Sequence, residues 1–160
     1  MPTPTSNTIA VLVNIRSAEN VGAIFRTADA AGVGELLLVG YTPAPIDRFN
    51  RARKDIAKAA LGAEQTIPWQ TFKTLRSVQT YLKKKNYTLV AIEQDERAVD
   101  YKKIKKSGDI AFVVGNEVTG LTKGELALVD VVAEIPMKGK KESLNVSVAF
   151  GIAVFRILGV

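Results

Sequence analysis

The sequence predicts an α/β domain built on a mainly parallel sheet with helices on both faces. Three observations lead there. Short β-branched runs recur along the chain, helical patterns alternate with them, and polar residues that would be costly in a core gather where the later runs end. Ligands of open α/β sheets bind at such strand ends, so the pattern predicts a site as well as a fold.

The elements follow in order. Residues 9–13 (IAVLV) and 36–39 are the first two strand-like runs, with a helical pattern between them, so the chain opens on a βαβ unit. That helix is expected to start near Asn20 and to carry Val21, Ile24, Phe25, Ala28 and Ala31 on one apolar stripe. It should end at Gly32 and Gly34, residues that tolerate left-handed geometry. Residues 40–50, with Pro43 and Pro45, read as a loop, and residues 51–61 and 72–85 read as helices. Strand-like runs return at residues 87–92, 110–114 and 131–135, the first two separated by a lysine-rich loop and the last two by a short helix over 123–128. The tail, residues 145–158, alternates like a strand but is too long for one without a turn signal, so it reads as a helix. It is apolar almost all round, which predicts a dimer interface, with a central core helix as the competing reading. No internal repeat, linker or low-complexity tract interrupts the chain, so residues 1–160 are expected to form a single domain.

Composition narrows the chemistry. The chain has 160 residues, is 47% hydrophobic and contains neither cysteine nor histidine, which removes disulfides, thiolate nucleophiles, the usual zinc sites and the commonest general base. Catalysis would have to use Arg, Lys, Glu, Asp, Ser, Tyr or backbone groups. The opening MPTPTSNT lacks a targeting pattern, and no apolar run reaches the roughly 18 residues that suggest a membrane span. A cytoplasmic location is the expectation. Lys+Arg total 22 against 16 Asp+Glu, a formal charge of +6, which favours polyanionic partners. The cations cluster at Arg48, Arg51, Arg53, Lys54 and Lys58, at residues 83–85, at residues 102–106, and at Lys138, Lys140 and Lys141. The middle two groups read as solvated faces. The first and last flank the suspected site, and phosphate contact is expected there.

Three segments hold the candidate chemistry. Asn20 and Arg26 lie on the first helix, where an Asn cap and an Arg26–Asp29 pair would account for both without function. Gly115, Asn116 and Glu117 directly follow the run IAFVV; a tight turn explains the first two, while Glu117 needs a partner, for which Arg26 is the candidate. Ser143, Leu144 and Asn145 precede the tail, and either polar residue could cap it.

Together, NVGAIFRTADAAG, FVVGNEVTGL and IPMKGKKESLNVSVAFGIAVF resemble, in order, the three signature motifs of the SpoU/TrmH branch of SPOUT RNA methyltransferases. The stretch LGAEQTIPW is similar to this branch as well. The resemblance implies a C-terminal trefoil knot in the sheet, bound S-adenosylmethionine, no metal, and a homodimer whose subunits share each site. It implies cofactor contacts from Ile92 and Glu93, from Val114, Gly115, Asn116 and Glu117, and from Ile135, Pro136, Met137, Ser143 and Leu144. The reaction implied is methyl transfer to a ribose 2′-hydroxyl of RNA, with a lean to transfer RNA over ribosomal RNA. Catalytic roles would fall to Arg26, Asn20, Glu117, Ser143 and Asn145, with Glu117 holding Arg26. RNA would be met by Arg26, by Arg48, Arg51, Arg53 and Lys54, and by Lys138, Lys140 and Lys141. A non-catalytic RNA-binding dimer of the same fold is the alternative, and a small-molecule methyltransferase would leave the positive charge idle.

Overall fold

The computed structural model describes residues 7–160, so most of the polar opening segment lies outside the described residues. Its strands are β1 (Thr8–Val13), β2 (Glu35–Val39), β3 (Trp69–Phe72), β4 (Thr88–Ile92), β5 (Val99–Asp100), β6 (Ile110–Val114) and β7 (Val131–Glu134). They form one sheet in the order β3, β2, β1, β6, β4, β7, β5, and every neighbouring pair is parallel.

The helices are α1 (Ala18–Ala31), α2 (Lys54–Ala60), α3 (Ala63–Thr66), α4 (Leu75–Lys83), α5 (Lys123–Leu126) and α6 (Val146–Leu158). Side-chain alternation along the strands divides the core in two. Ala10, Leu12, Leu36, Leu38, Phe112 and Val114 pack with the buried stripes of α1, α2 and α6. Ile9, Val11, Leu37, Val39 and Val113 pack with Leu75, Val78 and Leu82 of α4 on the other face. Burial of each such Leu or Phe contributes about 1.5–3 kcal/mol.

The stripe expected on α1 is buried as predicted, but the helix begins at Ala18 rather than near Asn20. Ser17 takes the cap instead, its hydroxyl accepting the Asn20 N–H at 3.1 Å, and Gly32 ends the helix in left-handed geometry. Against α2 the helix packs almost backbone to backbone. A Cβ on Gly22 would stand 2.6 Å from the Ile56 carbonyl oxygen.

Three expectations needed correction. Residues 72–85 are not one helix: Trp69–Phe72 adds β3 to the sheet edge beside β2, and α4 starts only after Thr74, whose hydroxyl accepts the Ser77 N–H. Residues 51–61 are helical only from Lys54, because Ala52 bridges to Ile46 and the Arg53 N–H is taken by the Pro45 carbonyl. The lysine-rich loop contains β5 and a single 3-10 turn, Tyr101–Lys103, capped by the Asp100 carboxylate.

Helix α6 has one face in the core and another open to solvent. Phe150, Ala153, Val154 and Ile157 are buried in the core shared with α1, while Val148 and Ile152 remain 48% and 38% exposed. None of the described helices is long and apolar enough to cross a membrane.

Candidate active site

The C-terminal ends of β4, β6 and β7 open into one cavity of about 300 Å³, small but within the range of ligand pockets. Its wall takes Ile92 and Glu93 from the end of β4, and Val114, Gly115, Asn116 and Glu117 from the end of β6. Ile135, Met137, Ser143 and Leu144 complete it from the segment before α6. Of the residues expected at the cofactor, Pro136 alone is not in the wall. Gln94, Val118, Thr119, Gly120, Glu142, Val146 and Ala149 also line the cavity and were missed. A second glycine shortly after Gly115 was the available signal for the longer loop.

That loop folds back on itself. The Gly120 N–H donates to the Asn116 carbonyl at 2.9 Å, and a Cβ on Gly115 would lie 2.7 Å from the Gly120 carbonyl carbon. Asn116 braces the turn. Its side-chain oxygen accepts the N–H groups of Val118 and Thr119, and its amide donates to the Asn14 carbonyl and to the Tyr41 hydroxyl, each at 3.0 Å. Gly120 has a positive φ of 63°, and a Cβ there would stand 2.5 Å from a carboxylate oxygen of Glu93. Glu93 is fixed in turn by the Leu121 and Gln94 N–H groups.

Glu117 is held by the start of α1. One carboxylate oxygen accepts the Arg16 N–H at 2.8 Å, and the other accepts the Ser17 N–H at 2.8 Å and the Asn20 side-chain amide at 3.2 Å. A carboxylate here also faces the positive end of the helix dipole. Partial burial pushes its carboxyl up, but the hydrogen bonds from the Arg16 and Ser17 backbone and the Asn20 amide outweigh burial and hold it below the ordinary carboxylate value.

Asn20 carries the connection further. Its side-chain oxygen accepts from the Asn145 amide at 3.2 Å, while Asn145 caps α6 by accepting the Ser147 N–H at 2.9 Å. Glu117, Asn20 and Asn145, from three distant segments, therefore form one hydrogen-bonded chain. Ser143 stands exposed in the wall and makes no hydrogen bond among the described residues.

The structure does not bring Arg26 to Glu117. Both carboxylate oxygens are occupied at the beginning of α1, and Arg26 lies more than two turns further along, exposed and outside the cavity wall. It forms neither that contact nor an ion pair with Asp29 among the described residues.

Charge in the wall is one-sided. Glu93, Glu117 and Glu142 contribute carboxylates and no lysine or arginine joins them, so the cavity favours a ligand carrying positive charge. No group of three acidic, histidine or cysteine side chains placed to hold a metal occurs among the described residues. The basic residues lie outside the cavity. Arg48, Lys54, Lys138, Lys140 and Lys141 are exposed, whereas Arg51 is paired with Asp47 at 3.1 Å and Arg53 with Asp55 at 2.7 Å.

Known proteins resemble the chain in sequence and in fold. The SpoU rRNA Methylase family matches residues 7–155. The tRNA (guanosine(18)-2′-O)-methyltransferase of Escherichia coli K12 is 34% identical over 141 residues, covering 88% of this chain and 58% of that protein. The 23S rRNA (guanosine-2′-O-)-methyltransferase RlmB of Ralstonia nicotianae is 34% identical over 151 residues, covering 92% and 56%. The chain thus spans a little over half the length of these relatives. An AdoMet-bound rRNA methyltransferase from Sinorhizobium meliloti superposes with a TM-score of 0.82 at 30% identity, over 98% of this chain and 57% of its own. The TrmH/SpoU tRNA modifying enzyme of A. aeolicus superposes at 0.83 with 24% identity over 97% and 75%, a likeness of fold. With the match running from the first described strand into the last helix, the chain belongs to the SpoU rRNA Methylase family.

Proposed function

We propose that the chain is an S-adenosylmethionine-dependent methyltransferase acting on a ribose 2′-hydroxyl of RNA, with transfer RNA favoured over ribosomal RNA. The observation that carries the reading is the Glu117–Asn20–Asn145 chain, which ties the three motif segments together beside a strand-end cavity. Relatives named for guanosine 2′-O-methylation of tRNA and of 23S rRNA support the reaction class.

The cavity fits the cofactor by its chemistry. Ile92, Val114, Ile135, Met137 and Leu144 offer apolar surface to an adenine, and three carboxylates suit a sulfonium. When bound, S-adenosylmethionine supplies an electrophilic methyl group. Glu117 and Asn20 fix the loop after β6 against α1, and Asn145 fixes the start of α6. Ser143, without a hydrogen-bond partner among the described residues, is assigned to the substrate or the cofactor.

Arg26 is assigned the negative charge that develops on the ribose oxygen and the neighbouring phosphate. Proton abstraction by it is disfavoured, because a guanidinium loses its proton only above a pKa of about 12. Its exposed side chain, unpaired among the described residues, and the exposed Val148 and Ile152 support a homodimer through α6 in which Arg26 completes the partner's site. The trefoil knot belongs to the same reading, as do a single domain sufficient for catalysis and action in the cytoplasm.

Transfer of radiolabelled methyl groups from S-adenosylmethionine to tRNA and rRNA, assayed separately, tests the proposal. The wild-type chain should label RNA on the 2′-oxygen. Arg26→Ala should lower turnover by about 10²-fold or more, with cofactor affinity within twofold. RNA binding without methyl transfer would favour the non-catalytic dimer, and unchanged turnover would remove Arg26 from the reaction.

A further inference from the structure

Residues 46–52 form a small closed loop outside the cavity. Ile46 and Ala52 bridge its base, and the Asp47 N–H donates to the Arg51 carbonyl at 2.9 Å. One Asp47 carboxylate oxygen accepts the N–H groups of Phe49 and Arg51 at 2.8 and 3.0 Å, and the other pairs with the Arg51 guanidinium. Asn50 completes the turn in left-handed geometry. The tip held in this way carries Phe49, 62% exposed, with the Arg48 and Arg51 guanidinium carbons 4.8 and 4.9 Å from the ring centre.

A single exposed phenylalanine is ordinary on a protein surface. Here, however, an organised loop holds the ring out between two guanidinium groups, within a segment of five cations. The two carboxylates of that segment, Asp47 and Asp55, are both spent on its own arginines. An aromatic face beside free positive charge is the chemistry that holds an unpaired nucleotide, the base on the ring and the phosphate on the cations. The connection that carries this loop also reaches the cavity. Tyr41, 60% exposed at the start of the same connection, is hydrogen-bonded through its hydroxyl to Asn116 in the cavity wall.

We propose that residues 46–52 are a recognition element that stacks one unpaired base of the RNA substrate on Phe49, with Arg48 and Arg51 on the adjoining phosphates. Arg48, which has no carboxylate partner among the described residues, swings to the phosphate and opens the ring to the base. Arg51 stays oriented by Asp47. The proposal rests on RNA being the substrate and adds a selection for unpaired nucleotides over duplex.

Binding of the full chain to a labelled single-stranded oligoribonucleotide and to a duplex of the same length, by fluorescence anisotropy at one salt concentration, tests it. Phe49→Ala should weaken single-strand binding about 5- to 150-fold, leave duplex binding within twofold, and keep the salt slope. Phe49→Tyr should bind the single strand nearly as wild type does. In Phe49→Trp, fluorescence should be quenched by the single strand, against a background of one native tryptophan, Trp69. Single-strand binding by Phe49→Ala within twofold of wild type, equal loss on both RNAs, or failure of Phe49→Tyr would overturn the proposal while leaving the methyltransferase reading intact. A wild-type chain that binds neither RNA would overturn both.

Discussion

Glu117→Gln isolates what the carboxylate does for the architecture. The carboxylate satisfies two backbone N–H groups at 2.8 Å, those of Arg16 and Ser17, with one oxygen for each. Glutamine keeps the shape but offers one oxygen and one amide group, so one of these N–H groups loses its acceptor and faces another donor. Taking the lower part of the range for hydrogen bonds to a charged group, because the side chain is partly exposed, and adding the lost attraction to the helix dipole, the cost is about 1.5–2 kcal/mol. Urea unfolding reads that cost, and hydrogen exchange at the Arg16 and Ser17 amides locates it. The effect should depend on pH in a definite sense. The folded carboxyl titrates below its usual 4.5, so its stabilisation is complete above that value and is lost as pH falls through the depressed one. Wild type and variant should therefore converge in acid. A loss under about 0.5 kcal/mol at neutral pH, or a gap unchanged down to the lowest pH at which the protein stays folded, would refute the assignment.

Gly115→Ala places a methyl group 2.7 Å from the Gly120 carbonyl carbon and 2.8 Å from the Leu121 nitrogen, which are backbone atoms that cannot turn aside. Overpacking of about 1–3 kcal/mol is expected, with a loss of S-adenosylmethionine affinity measurable by calorimetry; wild-type affinity would separate the cavity from cofactor binding. Ile152→Glu, on the exposed side of α6, should convert the proposed dimer to monomer in sedimentation equilibrium while the fold persists. A wild-type chain that is already monomeric would remove the dimer.

The central strands were legible because their apolar runs are continuous and bounded. Residues 110–114 are read and observed identically as β6, and the strands flanking α1 shift by one residue at most. β3 was not legible because Trp69–Phe72 is short and runs straight toward a helix; its pairing with β2 decides its structure, and pairing has no local signature. β5, two residues long, lies below any periodicity. In the site, Asn20, Glu117 and Asn145 were found and do converge, but Glu117 was given Arg26 as its partner. Pattern reading sees only side chains, and the groups that hold Glu117 are mainly backbone N–H groups. Ser17, a good cap residue just ahead of the apolar stripe, was the missed clue to where α1 begins and hence to where those groups lie.

The strand order also dictates how the molecule must be assembled as it is synthesised. β1 pairs with β2 early, yet its other neighbour is β6, so that Ile9 waits for Ala111. β4 emerges before β6 as well and waits for the same strand. A nascent chain thus carries two apolar strand edges, each a template for the wrong partner, until residues 110–114 have left the ribosome. β4 pairs only with β6 and β7, both later in the sequence, so it joins the sheet through strands not yet made, and Glu117 comes within reach of the Ser17 N–H only once β6 lies beside β1.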